Sequence, residues 1–146
     1  MITAACYEHK PIFDSPDLLS FLRDEMLTRL SRILQCEAWV FLPNHYHIVL
    51  NAPELAVVSE ILRIGHSKIS TTVNGLQNRK GRKVWYRFAD RMIRNEQHYW
   101  ATINYIHYNP IKHGYVDKMT DWSWSSVHDF FDTFGEDKLK GFGKIP

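Results

Sequence analysis

Three residues in the middle of the chain, His45-Tyr46-His47, have the types and spacing to hold a metal ion. On an extended strand, residues i and i+2 project to the same face. Two imidazoles would then stand side by side as a ligand pair, with Tyr46 turned the other way into packing. A pair of polar histidines on a half-exposed strand would read the same. Sixty residues on, Tyr105 and Asn109 are four apart and share one face of a helix. Laid across the histidines, that face would add an amide oxygen to the ligand set and leave positions open for water and substrate. It would also hold a phenol one turn away, aimed at a metal-bound phosphate. On spacing alone, a core tyrosine and a turn residue before Pro110 are the simpler explanation.

The elements that must position these residues follow from periodicity and breakers. Ile2 to Tyr7 is a short apolar run of strand type, with no lead-in before it. Asp14-Ser15-Pro16-Asp17 is a helix start, with cap candidates and then a proline whose missing N–H costs nothing there. Leu18, Leu22, Met26, Leu30 and Ile33 continue it for about five turns. Cys36–Leu42 and His45–Asn51 read as a hairpin about Pro43-Asn44. Leu55, Val58, Ile61, Leu62, Ile69 and Val73 mark a second helix, weakened by Gly65. A basic loop over Gly75–Lys83 leads into an aromatic strand, Val84–Ile93. Asn95-Glu96 starts a third helix, whose end Pro110 and Gly114 announce. Asp121–Phe131 has room for a short aromatic-rich helix.

The order strand, helix, strand, strand, helix, strand is the split βαβ plan. It predicts an α+β fold: a ferredoxin-like antiparallel sheet with two helices on one face, the third helix following the last strand onto the other. The expected organisation is one domain over residues 1–132 and a loosely held tail over 133–146. Such a plan hosts many functions and decides none.

Composition narrows the classes. The 146 residues are 45% apolar and 23% charged, enough for a core and too apolar for a disordered chain. No apolar run is long enough to span a membrane and the first residues are no signal peptide, so the expected compartment is the cytoplasm, with no membrane partner. Cys6 and Cys36 form no CxxC and are expected to be free thiols. No GxxxxGK[ST] loop is present, so no nucleotide cofactor is expected. The net charge is only +2, yet seven of the 18 basic residues (Arg79, Lys80, Arg82, Lys83, Arg87, Arg91 and Arg94) fall in one stretch facing a single acid, Asp90. Such a patch is either a solvated basic loop or the footprint of a polyanion.

The pieces ITAACYEHKPIF, AWVFLPNHYHIVL, VWYRFADRMIR and NYIHYNPIKHGYV, followed by DWSWSS, lie in order over roughly residues 2 to 128. Together they resemble the single-tyrosine transposases, a family of HUH single-strand DNA nucleases, and most of all the branch associated with repetitive extragenic palindromes. The family usually carries more residues before the first strand, and FADRMIR departs from its commoner FWEHxIR. The resemblance implies a ferredoxin-like palm with His45 and His47 as metal histidines, Tyr105 as the one catalytic tyrosine, and Asn109 at the polar position that completes the metal site in this family.

It further implies transesterification of single-stranded or hairpin DNA through a 5′-phosphotyrosine, with a divalent ion, Mg²⁺ or Mn²⁺, as cofactor. Two imidazoles favour a borderline ion, so Mn²⁺ is expected to serve at least as well as Mg²⁺ in vitro. The seven basic residues and Lys112 would contact DNA phosphates, with His113 beside them. Trp85, Tyr86 and Trp100 are either base-stacking or core residues. A monomer is favoured and a homodimer is open. Two other readings compete: a non-catalytic nucleic-acid-binding module of the same fold, and a nuclease that uses metal-activated water while Tyr105 only packs.

Overall fold

A computed structural model describes residues 1–135; residues 136–146, most of the expected tail, lie outside the described part. Four strands, β1 (Ile2–Ala5), β2 (Gln35–Leu42), β3 (His45–Asn51) and β4 (Ala89–Asp90), form one sheet in the order β2-β3-β1-β4. Every pairing is antiparallel. Four α-helices complete the fold: α1 (Pro16–Ser31), α2 (Leu55–Leu76), α3 (Glu96–Lys112) and α4 (Val127–Phe134). This is the expected ferredoxin-like plan.

The register sorts the side chains of β3. Tyr46 stands opposite Ala4 and Phe41, and Ile48 opposite Ile2 and Trp39. That face carries the main core, with Leu22, Met26 and Leu30 of α1 and Leu62, Ile69 and Val73 of α2 fully enclosed. His45 and His47 fall on the opposite face with Ala5, Thr3, Leu42 and Val40. Here α3 packs, its Trp100, Ile103 and Ile106 buried.

Local chemistry fixes the helix ends. Ser15 Oγ accepts from Leu18 N at 3.2 Å with Pro16 at the first position of α1. Asn95 Oδ1 accepts from His98 N at 2.7 Å at the start of α3. Gly65 does not break α2. A Cβ there would lie 3.1 Å from Met26 Sδ and 3.2 Å from Arg29 Cδ, so its absence lets α1 and α2 approach closely. Pro110 does not end α3, which runs on to Lys112; Gly114, at φ +78°, follows the end.

Two expected elements differ. The strand over Val84–Ile93 is reduced to Ala89–Asp90, with an isolated bridge between Cys6 and Trp85. Val84 and Trp85 are both buried, Trp85 against Phe13 and Tyr46. The chain stays tied to β1 at intervals, through Tyr7 N to Val84 O at 2.7 Å and Tyr86 N to Ala5 O at 3.0 Å.

The aromatic segment after Asp121 is not helical from its start either; only Val127–Phe134 is. Before it, Phe41 N donates to Trp124 O at 2.9 Å, Ser126 N to Trp39 O at 2.9 Å, and Trp122 Nε1 to Phe41 O at 2.9 Å. Residues 122–126 thus cover the free edge of β2, which would otherwise present unpaired amides. His107 of α3 is fixed to the same strap, its Nε2 lying 2.9 Å from Ser126 Oγ.

Candidate active site

His45 and His47 come together on β3 with ring centroids 5.1 Å apart. Each ring is held through Nδ1. Thr3, directly across on β1, places Oγ1 2.8 Å from His47 Nδ1. Asn44 Oδ1 lies 2.7 Å from His45 Nδ1, and its Nδ2 is oriented toward His9 O at 3.4 Å. With that amide orientation Asn44 Oδ1 accepts, so His45 Nδ1 carries the proton and its Nε2 is left as a lone pair. A Thr3 hydroxyl accepting from His47 Nδ1 does the same for His47. Holding an imidazole by its far nitrogen is how metal-binding histidines are oriented.

The two Nε2 atoms meet α3. His45 Nε2 lies 2.9 Å from Asn109 Oδ1. His47 Nε2 and Asn109 Nδ2 are both buried without a hydrogen-bond partner among the described residues. A lone pair facing a carbonyl oxygen is relieved in two ways: the amide turns its N–H₂ to the ring, or a cation sits between them. An orphaned ring nitrogen beside that contact favours the cation, since buried polar atoms are otherwise nearly always paired. Burial holds His45 down to about 4 and His47 to about 3, with His113 and Lys112 adding to the effect on both. Both imidazoles are therefore neutral near pH 7, as metal ligands must be. Two histidines and an amide oxygen fit a divalent ion with open positions. Among the described residues no three His, Cys, Asp or Glu side chains gather to hold one, here included, so the third donor would be the Asn109 amide oxygen.

Tyr105 stands one turn before Asn109 and is half-buried. Its ring centroid is 5.4 Å from that of His47, and Lys112 Nζ is 5.0 Å from the Tyr105 centroid. A cavity of about 570 Å³ opens here, lined by Thr3, His47, Arg91, His98, Tyr105 and Lys112 among others. The floor is phenol and imidazole, and the rim carries two cations.

The structure thus brings His45, His47, Asn109, Tyr105, Lys112 and Arg91 to one place. It does not gather the rest of the basic stretch there. Arg79 and Arg82 line a separate cavity of about 420 Å³ with Lys10. Arg82 also braces its own loop, donating to Asn74 Oδ1 at 2.9 Å and Gln77 Oε1 at 2.6 Å. Lys80, Arg87 and Arg94 are exposed, and Lys83 Nζ sits 4.7 Å from the Tyr7 ring centroid. Among the described residues none of the seven has a carboxylate within ion-pair distance. Of the three aromatic residues singled out, Trp85 and Trp100 are core and Tyr86 is exposed.

Three site residues were not singled out for these roles. Thr3 is the register partner of His47, Asn44 precedes the first histidine, and His113 is 5.0 Å ring to ring from His45. The spacing of four between Asn109 and His113 was the available signal for the last. Thr3 needed the β1–β3 register.

No family model matches the chain. It is 35% identical over 98 residues to a REP-associated tyrosine transposase of Escherichia coli (strain K12), covering 66% of this chain and 56% of that protein. A Haemophilus influenzae relative of the same kind is 34% identical over 98 residues, covering 60% and 55%. Over this stretch the chain is similar to REP-associated tyrosine transposases. It spans about half the length of these curated relatives. The solved structure of a REP-associated tyrosine transposase bound to a REP hairpin shares the fold at a TM-score of 0.65, over 99% of this chain and 81% of that one, at 24% identity. Transposases of the HUH class imply a divalent metal. Among the described residues no helix is long and apolar enough to cross a membrane.

Proposed function

We propose that the chain is a single-strand DNA strand transferase acting on hairpin DNA through Tyr105. The observation that carries this reading is the Tyr105 ring packed at 5.4 Å beside His47, whose Nε2 is buried and unpaired. The enclosed Tyr46, by contrast, has its hydroxyl 2.6 Å from His66 Nε2, so that pair is hydrogen-bonded within the core. Hairpin DNA is chosen as substrate because the solved structure that shares this fold is bound to a REP hairpin. Cytoplasmic action as a monomer goes with this reading, within a catalytic domain over residues 1–132.

His45, His47 and Asn109 would hold a divalent ion, which supplies positive charge against a non-bridging phosphate oxygen. Mn²⁺ and Mg²⁺ both suit that role, Mn²⁺ accepting imidazole more readily. Thr3 and Asn44 keep the imidazoles turned to the site. Arg91 and Lys112 attract the phosphate to the cavity rim, a contact that weakens with salt. The Tyr105 hydroxyl oxygen attacks phosphorus. The new Tyr105 Oη–P bond joins the enzyme to the 5′ phosphate of the downstream strand as the P–O3′ bond breaks. The phenolic proton ends on the departing 3′ oxygen. One phosphodiester replaces another, so a 3′-OH can reverse the step without a nucleotide cofactor.

The test is a hairpin oligonucleotide library with single-stranded flanks, incubated with Mn²⁺ and resolved on a denaturing protein gel beside Tyr105→Phe. A 3′-end label is expected to travel with the wild-type protein, a 5′-end label to be released, and both signals to vanish in the variant. Cleavage without a protein-bound label would assign the attack to water. Binding with neither would leave a nucleic-acid-binding module.

A further inference from the structure

At the His45 end of the sheet, β1 runs into one turn of 3₁₀ helix, Tyr7–His9, that crosses the segment leaving the basic loop. Tyr7 and Tyr86 stand with ring centroids 5.1 Å apart, and His9 and Tyr86 5.6 Å apart, each pair tilted. Lys83 Nζ lies 4.7 Å from the Tyr7 centroid. Tyr86 is 37% exposed, and His9 and Lys83 are exposed as well. Two exposed rings, the half-buried ring of Tyr7 and a cation therefore meet at one place on the surface.

This patch is built rather than accidental. The Cys6–Trp85 bridge and the flanking backbone bonds, Tyr7 N to Val84 O and Tyr86 N to Ala5 O, set the two tyrosines beside each other. Glu8 and His9 hold φ of +56° and +52°, a region non-glycine residues rarely occupy and one that tends to be kept at functional sites. The patch is also joined to the active site. His9 O accepts from Asn44 Nδ2, and Asn44 Oδ1 orients His45. It is separate from the Tyr105 cavity, which none of its four residues lines.

We propose that Tyr7, His9 and Tyr86, with Lys83 beside them, form a stacking platform for an unpaired DNA base on the strand that enters the active site past His45. Aromatic faces take up any base, and a neighbouring cation meets the phosphate next to it. The platform holds the single strand so that the following phosphate reaches the histidines. The proposal rests on the strand-transfer reading above.

Its test uses two metal-free probes, fluorescein-labelled dA12 and a 12-unit abasic oligomer of the same backbone charge. Wild-type protein is expected to prefer dA12. Tyr86→Ala is expected to lose roughly 5- to 150-fold in dA12 affinity while its affinity for the abasic oligomer is unchanged. Tyr86→Phe, which keeps the ring, is expected to bind as wild type. Tyr86 is surface-exposed, and a thermal melt of each variant verifies the fold. If wild type forms the Tyr105 adduct yet Tyr86→Ala keeps the full preference for dA12, or wild type has none, the platform is refuted alone. If wild type neither forms the adduct nor binds dA12, the strand-transfer reading is refuted with it.

Discussion

Strand β3 serves two faces of one sheet, and they are finished differently. On the side of α1 and α2, Tyr46 is fully enclosed and its hydroxyl lies 2.6 Å from His66 Nε2. The His66 ring stacks on Trp85 with centroids 4.3 Å apart and planes 12° apart. That tyrosine–histidine pair is satisfied and inert. One residue away on the other side, His47 and Tyr105 also form a tyrosine–histidine pair, but the phenol opens on a cavity and the imidazole keeps an unpaired nitrogen. The residue types match; the difference lies in whether their polar atoms are used up by the protein. A core pair is finished by folding, and a reactive pair is left for a ligand to finish.

The largest effect that would break this contrast is a crossed substitution. His47→Ala is expected to lower adduct formation on the order of 10²- to 10³-fold, by removing a holder of the charge that stabilises the reacting phosphate. Its unfolding midpoint should shift little, because losing the Thr3 contact and the buried ring is offset by removing an unsatisfied buried nitrogen. Tyr46→Phe is expected to do the reverse. It strands His66 Nε2 and costs about 1–3 kcal/mol of stability while the adduct rate stays within about twofold of wild type. Urea unfolding and the gel assay, run on both variants, read the two axes. Equal effects of both variants on both axes would erase the distinction between the faces.

Acid sharpens the comparison next. His66 is held down to about 4 by burial, and His107, also buried and beside His128, to about 3. An unfolded histidine titrates near 6.5. Between these values the unfolded chain binds more protons than the folded one, so stability is full above about pH 6.5 and falls as the pH drops toward 4. For His66 alone the loss at pH 4 is on the order of 3 kcal/mol. Urea midpoints at pH 7.5, 5.5 and 4.5 should decline in that order, with a shallower decline in His66→Asn. A flat profile would mean His66 is not kept neutral by the core.

The smallest effect concerns Thr3. Thr3→Val keeps the shape of β1 and removes the oxygen that fixes His47 Nδ1. A loss of roughly 10- to 100-fold in Mn²⁺ affinity is expected, read by isothermal titration, with the fold intact. Unchanged affinity would show that His47 needs no such support.

Much of this was legible in the sequence because it depends on short spacings. His45 and His47 share a strand face by the two-residue period, and Tyr105 and Asn109 share a helix face by the four-residue one. The alternation of strands and helices set the order of the sheet. What was not legible depends on contacts between distant segments. Val84–Ile93 has the composition of a strand, but Trp85 is drawn into the core beside Phe13, Tyr46 and His66, and most of the ladder is lost. The strap over residues 122–126 looks like part of a helix until its partners on β2 are known. Thr3 is an ordinary strand residue until the register sets it against His47. The basic stretch reads as one patch in the sequence, yet Arg91 lines the Tyr105 cavity, Arg79 and Arg82 line another, and Lys80, Lys83, Arg87 and Arg94 line neither.

The most direct test of the central claim is to locate the covalent bond. Wild-type protein would be trapped with a 3′-labelled hairpin oligonucleotide in Mn²⁺, digested with nuclease and protease, and mapped by mass spectrometry. The expected result is a nucleotide phosphate on the peptide containing Tyr105, with none on the peptide containing Tyr46 and no adduct when the metal is chelated. A phosphate on another tyrosine, or DNA cleavage with no modified peptide, would contradict the assignment of Tyr105 as the nucleophile.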